Sequence, residues 1–159
     1  MMIRMGRLTG LPVVLCGRSI AQVETPVLHP SGRMLRGLKV RRPLGGARWV
    51  DARDIDVLGE VSVIVRCKPQ RPPNDTDFRL GTVKDSAGLL LGLVTDVIID
   101  QETLRVHALE MVLGLTEAIT EGRMLCRRFV TTSTGASAGE VMIPCGCWLE
   151  EPPQGGRRR

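Results

Sequence analysis

The feature that most constrains this chain is an internal correspondence. Shifted by 71 positions, LCGRSIAQVETPVLHPSGRMLRGLKV (residues 15–40) falls without a gap on SAGLLLGLVTDVIIDQETLRVHALEM (residues 86–111). Gly10 meets Gly81, Gly17 meets Gly88, Ile20 meets Leu91, Val23 meets Val94 and Leu38 meets Leu109. Identities are few, but glycine and apolar character coincide, and an internal period of this kind constrains the fold before any local motif does.

The local pattern within each copy is β. In the second copy Thr82–Asp85 runs into Ser86-Ala87-Gly88, where glycine can take the positive φ of a tight turn. The β-branched stretch Gly92–Asp100 suits a strand, Asp100–Thr103 a polar turn, and Arg105–Val112 a returning strand. The corresponding turn of the first copy contains His29-Pro30-Ser31-Gly32, which opposes a continuous helix. Leu44-Gly45-Gly46 reads as another hairpin turn, Asp51–Asp54 as a turn, and Val61–Val65 as a strand. Later, residues 113–124 read as a short helix or a strand, residues 133–140 as a loose loop, and Glu140–Pro144 as an extended strand.

The expected domains are 1–68 and 78–151, joined by a proline-rich linker at 69–77 and followed by a disordered tail at 152–159. Copies of this size are small for independent cores, and closing a sheet into a barrel uses its interior fully. The expected fold class is therefore all-β, as two small β-barrels in tandem, with a single sandwich built from both copies as the structural alternative. The core must be aliphatic, because the chain has two Phe, two Trp and no Tyr. The same scarcity removes the stacking platforms that single-stranded nucleic acids require.

The apolar run at Leu89–Leu91 is far too short for a membrane span, and the N-terminal apolar run is short for a signal sequence. The N-terminus reads as the first strand of a soluble cytoplasmic protein. Five cysteines, Cys16, Cys67, Cys126, Cys145 and Cys147, form no paired ligand spacing beyond Cys145-Gly146-Cys147. They read as reduced apolar fillers, with a structural metal site at Cys145 and Cys147 as the alternative.

Charge divides along the chain. Residues 1–71 hold 13 Lys+Arg and 5 Asp+Glu, whereas residues 72–156 hold 6 and 12, and three arginines close the sequence. Opposite halves can attract each other within or between molecules. Only three of the 22 basic residues are lysine; arginine suits bidentate anion contacts, although a GC-rich genome produces the same bias.

Raw material for catalysis is thin. His29 and His107 are the only histidines and are not equivalent under the shift, since His29 falls on Asp100. Asp96 and Asp100 share a strand face and can approach a cation, but aspartates at such positions commonly satisfy backbone donors. There is no phosphate loop, dinucleotide fingerprint or nucleophile elbow. The expectation is a non-enzyme with no catalytic residues, no metal and no cofactor.

The segments Gly81–Gly88 and Leu91–Asp100 resemble the signature of the PRC-barrel family, and the first copy is similar from Leu11–Val14 and Gly17–Ile20 through Asp54-Ile55 and Leu58-Gly59. Domains of that family occur in the photosynthetic reaction centre H subunit and at the C-terminal end of the ribosome maturation factor RimM. Two departures stand out: Ala21 replaces the glycine found at Gly92, and the second copy has no clear counterpart of residues 54–59. The resemblance implies two PRC-type barrels acting as an adaptor that binds another macromolecule, a protein first of all.

The residues expected to meet that partner are Arg33, Arg36, Lys39, Arg41 and Arg42, which surround one predicted strand and turn. The alternatives are an RNA- or ribosome-associated factor using the same residues with Arg157–Arg159, and a homo-oligomer formed by opposite-charge domains.

Overall fold

A computed structural model of the chain describes residues 1–113, 123–133, 138–144 and 150. The architecture is mainly β, with no α-helix among the described residues, and it consists of two barrel-like sheet units. The strands are β1 (Met2–Arg4), β2 (Pro12–Leu15), β3 (Arg18–Leu28), β4 (Leu35–Arg41), β5 (Ala47–Asp51), β6 (Ile55–Leu58) and β7 (Val63–Val65). In the second unit they are β8 (Arg79–Asp85), β9 (Leu90–Asp100), β10 (Val106–Leu113), β11 (Arg123–Cys126), β12 (Val130–Ser133) and β13 (Ala138–Ile143). Single 3₁₀ turns occupy Met5–Leu8 and Ala52–Asp54.

The first sheet runs β5-β4-β3-β2-β7-β6 and the second β11-β10-β9-β8-β13-β12, so one strand order serves both. Each contains one parallel pair, β2 with β7 and β8 with β13. Pairing agrees residue by residue in the central hairpins: Val23 faces Val40 as Val94 faces Met111, and Pro26 faces Leu38 as Val97 faces Leu109, every residue displaced by 71. The bulges obey the same displacement. Glu24 and Thr95 are skipped in one strand, Arg36 and His107 in the other. Gly17 and Gly88 supply the expected turns with φ of +77° and +85°, and Asp85 Oδ1 fixes the second by accepting from the N–H groups of Ala87 and Leu89.

Small residues mark where strands come closest. A Cβ at Gly92 would overlap the Val112 carbonyl oxygen, although Ala21 is accommodated at the corresponding place. The reverse holds at Gly37, where a Cβ would strike the Trp49 ring, while its counterpart Ala108 fits. The core is aliphatic as expected, with Leu38, Val40, Val83, Ile99 and Leu109 inaccessible to solvent and Phe78 and Phe129 beside them.

Two local readings require correction. Residues 133–140 are not wholly a loop, because Ser133 ends β12 and Ala138 begins β13, and these strands pair as a hairpin. The N-terminus is not one strand: it breaks at the 3₁₀ turn, and β1 pairs with β9, Ile3 opposite Ile99. Residues expected in the first unit thus complete the sheet of the second.

The units meet through reciprocal contacts. Leu35 N–H donates to the Leu104 carbonyl and Val106 N–H to the Arg33 carbonyl, each at 2.9 Å. Because 35 corresponds to 106 and 33 to 104, an approximate two-fold axis passes between Met34 and Arg105, which bridge each other. The linker does not float free. Gln70 exchanges two backbone hydrogen bonds with Trp49, each 2.7 Å, and Thr76 and Phe78 are buried.

Candidate functional site

The five basic residues singled out by sequence occupy β4 and its flanks, but they do not form one free face. The Arg33 guanidinium lies 4.6 Å from the centroid of the Phe129 ring and donates to the Phe129 carbonyl. Arg36 donates to the carbonyl of Asp75 at 2.6 Å, reaches that of Asn74, and stands over Trp49. Lys39 pairs with Asp77, and Arg41 with Glu24. The Lys39 ammonium, bonded to the carboxylate, holds the Asp77 carboxyl below the usual carboxylate range.

Arg41 and Arg42 remain at the surface together. They line a groove of about 390 Å³ on the outer face of the first sheet, with Pro12, Ser19, Gln22 and Pro43. Cross-strand pairing explains this grouping, since Pro12 lies opposite Gln22 and Gln22 opposite Arg41. Gln22 Nε2 anchors the floor by donating to the Gly10 carbonyl. The groove presents guanidinium, amide and hydroxyl groups, a set that suits carboxylates of a partner.

The matching positions of the second unit carry opposite chemistry. Ser19, Gln22 and Arg41 correspond to Leu90, Leu93 and Val112, so the same place in the fold is polar and basic in one unit and apolar in the other.

A second concavity, about 250 Å³, lies at the junction between Thr25 and Pro26 of β3 and Asp96 and Val97 of β9, which are related by the same displacement. Asp96 Oδ1 accepts from Gly6 N–H at 3.0 Å and Val97 N–H at 2.8 Å. Asp100 Oδ1 accepts from the N–H groups of Glu102 and Thr103 and from the Thr103 hydroxyl. These donors, Thr103 N–H foremost, hold the Asp100 carboxyl below its ordinary range. Both aspartates therefore secure backbone, and no group of three or more His, Cys, Asp or Glu suited to a metal occurs among the described residues.

His29 Nδ1 accepts from Ser31 N–H at 3.1 Å and lies 2.9 Å from Ser31 Oγ in an exposed turn. His107 is the exposed bulge residue of β10. Cys16 is exposed, Cys67 is partly buried, and the Cys126 thiol donates to the Arg128 carbonyl. Burial first, and then a hydrogen bond to Asp54, push the Cys67 thiol up. Cys145, Cys147 and Arg157–Arg159 lie outside the described residues.

Sequence reasoning missed Glu110. Its carboxylate is wholly buried; Oε1 accepts from Arg123 Nη1 at 3.1 Å and Thr95 Oγ1 at 3.3 Å, and Oε2 forms an ion pair with Arg4 Nη2 at 2.9 Å, off hydrogen-bonding geometry. No sequence signal marked it: the shift of 71 places Glu110 on Lys39, but that residue's own ion pair is seen only in the structure.

No helix of the described residues is long and apolar enough to cross a membrane. Neither a protein-family model nor a curated protein matches the chain.

Proposed function

We propose that the chain is a tandem PRC-barrel-type adaptor, non-enzymatic, whose first unit binds an acidic protein surface in the groove of Arg41 and Arg42. The observation that carries this reading is the pairing of a solvent-facing concave surface with two adjacent arginines, of which Arg42 has no polar partner among the described residues. The tandem assignment is supported by the common strand order and the shared displacement of pairings and bulges. A cytoplasmic setting accords with Cys16 and Cys67 as thiols.

RNA is the weaker partner class, because Arg33, Arg36 and Lys39 are committed to internal carbonyls and a carboxylate. Phosphate tracking needs an extended free basic surface.

The test is affinity capture from native cells with wild type and with Arg41→Glu/Arg42→Glu, in lysates with and without nuclease. A nuclease-resistant protein lost with the variant supports the proposal. Recovery that disappears with nuclease and falls steeply with salt replaces it with the RNA reading. Equal recovery by wild type and variant removes the groove from the account.

A further inference from the structure

We propose that the outer face of the second sheet is a homodimer interface, packing against the same face of a second copy of the chain about a two-fold axis.

The surface follows from the register. Val130 lies opposite Met142, Met142 opposite Lys84 and Lys84 opposite Leu90, giving one row across β12, β13, β8 and β9. Side chains directly opposed across strands project from one face, and four strands span about 14 Å at the usual spacing. The neighbouring strand positions place Leu93 opposite Thr82 and Val112 opposite Leu93. A bulge at Leu91 keeps Leu90 and Leu93 on this face, while Val83 and Gly92 turn inward. Val130, Met142, Leu90 and Leu93 are all exposed, and Leu89 extends the patch at the turn. Exposed apolar side chains grouped on one sheet face around a single ion pair mark an interaction site.

The occupant is identified by charge and by comparison with the other unit. Lys84 and Glu140 lie within the patch, paired at 3.1 Å and each about one-third exposed, and Arg123, opposite Val112 at its edge, is engaged by Glu110. A two-fold operation can bring Lys84 of one copy towards Glu140 of the other, so the face is self-complementary in charge as well as in apolar character. The first unit has an apolar row on its equivalent strands, Val57, Ile64 and Val14, but it carries Ser19, Gln22 and Arg41 where the second has Leu90, Leu93 and Val112, so its apolar surface is not continued onto β3 and β4. Face-to-face packing of two sheets buries alternate side chains of both, as this arrangement requires.

The experiment is sedimentation equilibrium of the full chain over a wide concentration range up to a few hundred micromolar, at low and high salt. The expected wild-type species is a dimer of about 35 kDa, twice the 17.4 kDa chain, undiminished by high salt. Leu90→Asp/Leu93→Asp is expected to raise the dimer dissociation constant by about 30-fold or more. Val130→Lys, on a different strand, supplies an independent weakening should the double variant fail to fold. Ser19→Asp, at the corresponding place of the first unit, is expected to leave the dimer intact. A wild-type monomer throughout the range overturns the proposal. So does a dimer that dissociates in high salt yet withstands the Leu90/Leu93 and Val130 substitutions, since that behaviour belongs to opposite-charge association of the two units.

Discussion

Removing Arg4 should cost far more stability than removing the carboxylate it serves. The Glu110 side chain is 0% exposed, whereas those of Arg4 and Arg123 are 40% and 61% exposed. Arg4→Met keeps an apolar stem over the sheet but leaves a buried carboxylate with Arg123 and Thr95 alone. Breaking a buried pair costs about 3–5 kcal/mol when the surviving charge is uncompensated; the remaining arginine reduces this to about 2–3 kcal/mol. For a chain of this length the thermal midpoint should fall by about 5–10 °C. Glu110→Met removes the buried charge and frees two arginines that water can resolvate, while Thr95 Oγ1 retains the backbone carbonyl at 3.2 Å. Its cost should stay below about 1 kcal/mol, because an apolar isostere of a buried ion pair is often nearly neutral. The double variant should then be more stable than Arg4→Met alone. Urea titration followed by circular dichroism measures all three, and amide exchange at Ile98–Asp100 reports whether β1 has loosened. If Glu110→Met costs as much as Arg4→Met, or the two costs simply add, the asymmetry argued from burial is wrong.

Gly92→Ala should destabilise by at least about 2 kcal/mol through overpacking against the Val112 carbonyl; thermal unfolding of this variant beside the reciprocal Ala21→Gly checks it. Acidification should weaken the fold, because Asp77 and Asp100 have native carboxyl pKa values below their ordinary ones. The stability this contributes is present above about pH 4 and is lost as pH falls through the lower native values. Asp100→Asn should flatten that slope, as urea midpoints measured at several pH values would show. Cys16 should alkylate much faster than Cys67, whose thiol is partly buried and raised; peptide mass spectrometry after timed iodoacetamide treatment reads the ratio, and equal rates would contradict it.

The central hairpins were legible because their determinants are local. Gly17 and Gly88 mark the turns, the β-branched run at 94–99 marks a strand, and one displacement of 71 carries pairings and bulges across both units. The closing strands were less legible, since β2 with β7 and β8 with β13 pair in parallel across four intervening strands, with no turn motif to join them. The basic cluster was misleading for a related reason. The partners of Arg33, Arg36 and Lys39 lie 96, 39 and 38 residues away, so no local pattern shows that these charges are spent internally. Glu110 was hidden by alternation, which predicts exposure for a polar residue between Leu109 and Met111. Instead β10 is buried continuously from Ala108 to Met111, with the N-terminal segment laid over the carboxylate through Arg4.

That segment explains how the two units are held in one arrangement. The residues preceding the first unit dock on the second: β1 on β9, Gly6 on Asp96, Arg4 on Glu110. The residues preceding the second dock on the first: Gln70 on Trp49, Asn74 and Asp75 on Arg36, Asp77 on Lys39. Lys39 and Glu110 are corresponding positions, yet their signs are opposite, and so are those of Arg4 and Asp77. Were each segment to fold back onto its own unit, Arg4 would approach Lys39 and Asp77 would approach Glu110, both like-charge encounters. The buried member makes this decisive, because a second carboxylate beside Glu110 would lack the solvent screening available at the surface. Reciprocal docking is therefore specified by charge as well as by strand pairing, and it joins the unit that bears the basic groove to the unit that bears the apolar face.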